Sequence, residues 1–226
     1  MKYSIFSVII KMIVEVRCMK EKYNDYLNRN HSFDKLTMAG IISLLIVIAG
    51  TFGFIYELIF YYFNDGIGRF NWQGGNFLPW INIYAIGAVI IYLLTYKHRK
   101  SWWKVFLISF ISAGILEYIS GLGIYIIGNG TRYWDYNTEI LNFGNIQGFV
   151  CLRSVLFFGI SGLILIYAII PLCFCLAKKL DKKLFLTISF SLCFIVLFDE
   201  IYNLLIARLF NLPNAGTIYR KIGLKV

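Results

Sequence analysis

The sequence predicts an all-α, polytopic membrane helix bundle of about five transmembrane helices, preceded by a short amino-terminal interfacial helix. Three observations carry this. Of the 226 residues, 59% are hydrophobic and only 15% charged, with a mean hydropathy of +0.69; a soluble domain carries roughly 25% charged residues. Apolar runs recur at the length of about 20 residues that a helix needs to cross about 30 Å of hydrocarbon. These runs are apolar all round, whereas a soluble core helix needs only an apolar stripe. One membrane domain is expected, with no soluble catalytic domain attached.

The elements follow in order. Residues 1–37 form an amino-terminal segment. Within it, residues 5–16 are apolar but too short to span, and Lys11 and Glu15 interrupt them; a helix lying in the membrane interface fits this pattern. The stretch resembles a signal-peptide core, but Arg17, Lys20 and Lys22 follow it instead of a small-residue cleavage site. Met19 is an alternative start, and residues 19–37 read as cytoplasmic. The membrane domain, residues 38–210, divides into spans at 38–63, 78–96, 102–127, 150–177 and 184–210. Pro79 falls in the first turn of the second span, where its missing N–H costs little. Pro171 is expected to bend the final turns of the fourth. Residues 211–226 form a basic tail.

Lys and Arg set the expected orientation. Residues 1–37 hold seven of them. Lys97, Arg99, Lys100 and Lys104 mark the second connection, and Lys178, Lys179, Lys182 and Lys183 the fourth. The other two loops hold only Arg69, Arg132 and Arg153. The amino terminus is therefore expected in the cytoplasm, and the loop around Trp134 outside. Five crossings then put the tail outside, although its Arg220, Lys221 and Lys225 run against the rule. The alternative is a fifth segment that turns back near Asp199 and Glu200.

The formal charge of +10 would suggest nucleic-acid binding in a soluble protein. Here the cations sit in short loops, which fits an anionic membrane face, and no nucleic-acid partner is expected. The cysteines form no C-x-x-C pair and the two histidines sit apart, so no metal site is expected. The glycines of loop 64–77 follow no strand and have no phosphate-loop lysine, so they are not a nucleotide cradle.

Four acids fall inside predicted spans: Glu57, Glu117, Asp199 and Glu200. Each costs roughly 2.5–3.5 kcal/mol on insertion scales, so such residues face the bundle interior. Helix spacing agrees. Gly50, Gly53 and Glu57 share a stripe, as do Ala113, Glu117, Ser120 and Gly121, and small residues allow helices to approach closely. Asp199 and Asn203, four apart, share a face, while Glu200 lies about 100° round and need not share a partner. Three readings stay open: packing elements, the lining of a substrate or ion path, or acid–base groups of a membrane-embedded enzyme. The outer loop carries Arg132, Tyr133, Trp134, Asp135 and Tyr136. Tyr and Trp commonly sit at headgroup level, but Asp135 between them is expected to pair with Arg132 or Arg153 at the outer mouth, as a structural clamp, a lid lock or a headgroup site.

Several of these residues carry a family resemblance. Leu116-Glu117-Tyr118, Tyr133-Trp134-Asp135-Tyr136, Asn145-x-x-Gly148-x-x-Cys151-Leu152, Phe157-Phe158-Gly159 and Pro171 resemble the Putative ABC-transporter type IV family of small multi-pass bacterial membrane proteins. Phe54-Ile55-Tyr56-Glu57 and Phe77-Leu78…Ile83-Tyr84-x-x-Gly87-Ala88 are similar to its amino-terminal motifs. The resemblance covers about residues 45–175. This chain departs from the pattern at three places: the segment 79–85 is shorter, Phe149 stands where an Arg is usual, and an acid usual late in the third span is missing around Tyr125. The resemblance implies a permease-like component of a bacterial plasma membrane. Its ATPase would be a separate chain, because no P-loop is present here.

The expectation is therefore a permease-like transporter component of open substrate, its path lined by Glu57 and Glu117 with Asp199, Glu200 and Asn203 as further intramembrane polar groups. The expected outer mouth comprises Arg132, Tyr133, Trp134, Asp135, Tyr136, Asn145 and Arg153. Beyond the lipid bilayer, the partners it leaves room for are an ABC ATPase subunit and a second copy; no cofactor is expected. The rivals are a membrane-embedded enzyme acting on a lipid or isoprenoid, and a structural or assembly partner of another membrane protein.

Overall fold

The structure is a computed structural model describing residues 24–28, 32–64 and 71–224. The expected interfacial helix at residues 5–16, the alternative start Met19, and Arg69 and Lys225 lie outside the described residues. The chain divides into a unit Met1–Asp34, in which residues 24–28 are helical, and a unit Lys35–Val226. All elements below belong to the second unit.

That unit is helical, and its described residues form no strand beyond one isolated bridge between Ile146 and Val150. The helices are α1 (Lys35–Asn64), α2 (Asn82–Thr95), α3 (Trp102–Ile127), α4 (Leu152–Lys179), α5 (Lys182–Leu209) and α6 (Ala215–Lys221). Four of them, α1, α3, α4 and α5, are long and apolar enough to cross a membrane. Their outward faces carry large apolar side chains, among them Ile59, Ile115, Phe194 and Phe198, all about half exposed or more. Such a perimeter suits hydrocarbon rather than water.

The second expected span takes another form. Helix α2 has 14 residues, which is about 21 Å at 1.5 Å per residue, short of the roughly 30 Å of a bilayer core. Residues 71–81, which precede it, are not helical; they dip into the bundle as a re-entrant segment. Trp80, only 3% exposed, donates from Nε1 to the Ile46 carbonyl at 3.0 Å, and the Ile81 N–H reaches the Gly50 carbonyl at 3.1 Å. Gly50 and Gly53 make this approach feasible, since a Cβ at either would overlap the ring of Trp80 or Tyr84. The stripe read from the sequence is therefore the seat of the re-entrant segment and of α2.

Helix α3 packs along α4, and α1 lies between α2 and α5. The buried face of α3 repeats every fourth residue through Val105, Ser109, Ala113, Glu117 and Gly121. Two helices contain a widened π turn. In α4 it spans Leu165–Ile169, two residues before Pro171, where the proline ring displaces the regular ladder. In α5 it spans Tyr202–Ile206. There the Asn203 side chain enters the ladder, its Nδ2 donating to the Asp199 carbonyl at 2.9 Å. The helix continues past Asp199 and Glu200 to Leu209, so α5 does not turn back there. The basic tail is not a featureless extension: Asn214 caps α6 by accepting the Thr217 N–H at 2.8 Å.

Tracing the chain places the re-entrant segment, the loop 128–151 and α6 at one end of the bundle. The short connections 96–101 and 180–181, with Lys97, Lys100, Lys178, Lys179, Lys182 and Lys183, lie at the other. Arg99 at that end is buried, stacks 4.3 Å from the Tyr96 ring centroid, and offers its carbonyl to Tyr167 Oη at 2.8 Å.

Candidate functional site

The end that holds the three loops contains a cavity of about 1060 Å³. Its wall draws on α1, α2, α3, α4, α5 and α6 and on both long loops. Glu57, Glu117, Glu139 and Glu200 reach it, as do Arg132, Arg153, Arg208 and Arg220. Among the described residues no group of three or more His, Cys, Asp or Glu is placed to hold a metal ion.

Glu117 sits at the buried centre of α3, 5% exposed. Tyr136 Oη donates to its Oε1 at 2.6 Å, and Ser154 Oγ lies 2.7 Å from its Oε2. Ser154 also lies 2.8 Å from the Cys151 carbonyl and accepts the Cys151 N–H. One serine hydroxyl proton thus faces two acceptors. Burial, then the neighbouring Glu117, hold the Tyr136 phenol well above the ordinary tyrosine range, so it remains a donor. Glu57 on α1 is half-buried and lines the cavity with Tyr84 of α2.

Arg153 pairs with Glu139, not with Asp135, at 2.5 Å. Tyr61 Oη donates to the other Glu139 oxygen at 2.8 Å, and the guanidinium lies 3.9 Å from the Phe60 ring centroid. This pair ties α1 and α4 through the loop. The sequence reading missed Glu139. It is an acid in a polar loop, 14 residues from its partner, and only the folded loop brings the two together.

Asp135 does face Arg132, at 3.6 Å, but its main partners lie within the loop. It accepts the Asn137 N–H at 3.0 Å and Asn137 Nδ2 at 2.7 Å. Asn145 extends the chain, donating to Asn137 Oδ1 at 2.8 Å and accepting the Gly148 N–H at 2.7 Å. Arg132 Nη1 reaches the Gln147 carbonyl at 2.9 Å and the guanidinium lies 4.4 Å from the Phe149 ring centroid. Trp134 Nε1 holds the Phe149 carbonyl at 2.9 Å. Gly148 takes φ +77°, and a Cβ there would strike Asp135, Asn137 and Arg132. Tyr133 is exposed. The loop is folded by its own polar side chains.

The third group, Asp199, Glu200 and Asn203, serves the re-entrant segment. Asp199 accepts the Phe77 and Leu78 N–H groups at 3.2 and 2.7 Å. Glu200 accepts from Asn76 and Asn82, both at 2.6 Å. The two adjacent acids have different partners, on the re-entrant segment and at the start of α2, as their angular offset allows. Asn203 donates to Asp199 Oδ1 at 2.8 Å and accepts the Ala215 N–H at 2.7 Å, and Tyr219 Oη reaches the Phe77 carbonyl at 2.7 Å. Non-helical backbone packed inside a membrane-type bundle has to be satisfied by protein, and Asp199 does so for Phe77 and Leu78.

Four helices long and apolar enough to cross a membrane, with carboxylates lining a cavity at one end of the bundle, define the class, a polytopic membrane-type helix bundle. The chain belongs to the Putative ABC-transporter type IV family, which it matches over residues 44–204. The match extends well past the 45–175 expected from the motifs and takes in Asp199, Glu200 and Asn203. No curated protein and no solved structure matches the chain.

Proposed function

We propose that the chain is a permease-like subunit of a membrane transport system, in which the cavity holds the transported solute. The observation that carries this is the cavity itself, of about 1060 Å³, opening at one end of the bundle and lined by Glu57 and Glu117 from facing helices. Ligand chambers commonly measure about 300–1,000 Å³, and buried carboxylates in membrane bundles mark ion and proton paths. In this reading Glu57 and Glu117 exchange a proton or an ion pair as the bundle rearranges; the single Ser154 proton shared between two acceptors supports that role for Glu117. Arg132 and Asp135 keep the outer loop in place, and Glu139 with Arg153 fastens that loop to α1 and α4.

The finer topology belongs to the same proposal. Residues 78–81 and the turn Tyr96–His98 extend α2 at its two ends, and with them the second segment completes a fifth crossing. The amino terminus then lies in the cytoplasm and the cavity opens outside, in a bacterial plasma membrane. ATP hydrolysis comes from a separate subunit.

Purification in mild detergent, with quantitative mass spectrometry, tests this. A stoichiometric ABC ATPase is expected to survive washing. In the same preparation, Glu117→Gln should keep normal abundance and subunit association while losing transport. A monodisperse protein without any ATPase, or full transport by Glu117→Gln, would overturn the proposal.

A further inference from the structure

Four glutamates and four arginines line the cavity, but they are not matched pair by pair. Arg153 is taken by Glu139, and Arg132 faces Asp135 of its own loop at 3.6 Å. Arg208 and Arg220 are exposed, so water and counter-ions screen them. Glu117 is buried and Glu57 half-buried. Among the described residues neither forms an ion pair with a Lys or Arg. The hydroxyls of Tyr136 and Ser154 occupy both Glu117 oxygens without supplying charge. A carboxylate inside a membrane bundle is balanced by a proton or by a cation.

The wall beside these two acids is aromatic. Tyr56 directly precedes Glu57, and the Tyr84 ring lies over Gly53, one turn before it. Phe157 and Phe158 follow Ser154, the partner of Glu117, by three and four positions and so share its helix face. The four rings meet in a closed circuit. Centroid distances are 3.5 Å from Tyr56 to Phe157, 5.8 Å to Phe158, 5.5 Å on to Tyr84 and 6.3 Å back to Tyr56. All four rings line the cavity. The chain already rests a cation on the next ring along: the Arg153 guanidinium lies 3.9 Å from the Phe60 centroid, and Phe60 lies 6.1 Å from Tyr56.

We propose that this part of the cavity binds a quaternary ammonium cation, its alkyl groups against the four rings and its charge balanced by Glu57 and Glu117. This rests on the reading that the cavity is the solute site, and names the solute class. Ring faces attract such ions electrostatically, and most strongly where water is excluded. An anion would meet two carboxylates here. A metal ion would find rings where it needs several oxygen ligands. A primary ammonium needs acceptors, and both Glu117 oxygens are already engaged. An ion without N–H groups needs only charge and ring faces.

The test uses the full chain in dodecyl maltoside, whose micelles carry no ammonium group, with radiolabelled choline as probe in equilibrium dialysis and empty micelles as the blank. Saturable binding of about one choline per chain is expected. The neutral carbon isostere 3,3-dimethylbutan-1-ol should compete poorly, and so should sodium chloride at matched concentration. Glu57→Gln and Phe157→Leu should each weaken binding about tenfold, the effect of losing one charge or one desolvated ring face, with Tm close to wild type. Binding no greater than to empty micelles overturns the proposal. So does equal competition by the isostere, which makes the site one for neutral solutes, or by sodium, which makes it one for small cations. Unchanged binding in both variants overturns it as well. The competition arms use wild-type protein alone and decide the matter even if a variant misfolds. The assay contains no ATPase and no transport step. Loss of the permease reading with choline binding intact is therefore distinguishable from loss of choline binding with an ATPase still attached.

Discussion

At the scale of single residues, the centre of the site is a carboxylate held by two hydroxyls. Tyr136 donates to Glu117 only while it is protonated, and its folded-state value lies well above the ordinary one because of burial and then the adjacent Glu117. The sign follows: a raised value means the stability contributed is complete below the unfolded tyrosine value of about 10 and is lost as pH climbs from there through the folded value. Tm measured across alkaline pH should therefore be flat below about pH 10 and fall above it. Tyr136→Phe should lower Tm at neutral pH, by a cost of about 1–3 kcal/mol for a carboxylate that loses a buried donor, and should flatten the alkaline fall; an unchanged alkaline profile would refute the assignment. Glu117 is legible in the sequence, because a lone acid in an apolar run attracts notice. Its partners are not. Tyr136 lies 19 residues on and Ser154 lies 37 residues on; the sequence reading placed Tyr136 at the outer mouth and not on Glu117, and Ser154 looks like any helix serine until the loop is folded. Glu139 escaped notice for the same reason.

At the scale of elements, the re-entrant segment 71–81 distinguishes this bundle from a plain set of crossings. The sequence reading leaves residues 71–77 in the loop 64–77 and merges residues 78–81 with α2. Gly74 and Gly75 at positive φ and Pro79 break the helix locally, and long-range partners fix the shape: Asp199 on its backbone, Glu200 on Asn76, and the backbone of α1 beneath Trp80. The stripe Gly50, Gly53 and Glu57 was legible as a contact face because glycine spacing on a helix needs no knowledge of its partner. That the partner is a tryptophan from a non-helical stretch was not. Asp199→Ala leaves the Phe77 and Leu78 N–H groups without an acceptor, at about 1–3 kcal/mol each. The expected result is a lower Tm and protease cleavage within residues 71–81 in detergent. A variant with wild-type Tm and an intact segment would show that Asp199 does not hold it. Gly50→Val should be at least as harmful, since its side chain takes the place of Trp80.

At the scale of the whole molecule, all three polar assemblies gather at one end and the lysine-rich connections at the other. The class of protein and most of its crossings were legible from composition and run length alone, because a bilayer imposes a length on every helix that crosses it. The behaviour of the tail was not. In the proposed orientation Arg220 and Lys221 run against the charge rule, yet α6 is fastened to α5 through Asn203 and to the re-entrant segment through Tyr219. In the proposed orientation, single cysteines introduced as Tyr133→Cys or Lys221→Cys should react with a membrane-impermeant maleimide in intact cells. Lys100→Cys and Lys179→Cys should react only after permeabilisation. Labelling of Lys221→Cys on the same side as Lys179→Cys would remove a crossing from the scheme.

The clamp on the re-entrant segment also has a consequence for biosynthesis. The Phe77 N–H and its acceptor on Asp199 are separated by 122 positions. At roughly 5–20 residues per second, a ribosome needs on the order of ten seconds to supply that acceptor. Until then the Phe77 and Leu78 N–H groups lack the acceptor that the folded chain gives them, and water or the headgroup layer has to serve in its place. The clamp on Phe77 and Leu78 is therefore completed only after translation has passed Asp199 on α5.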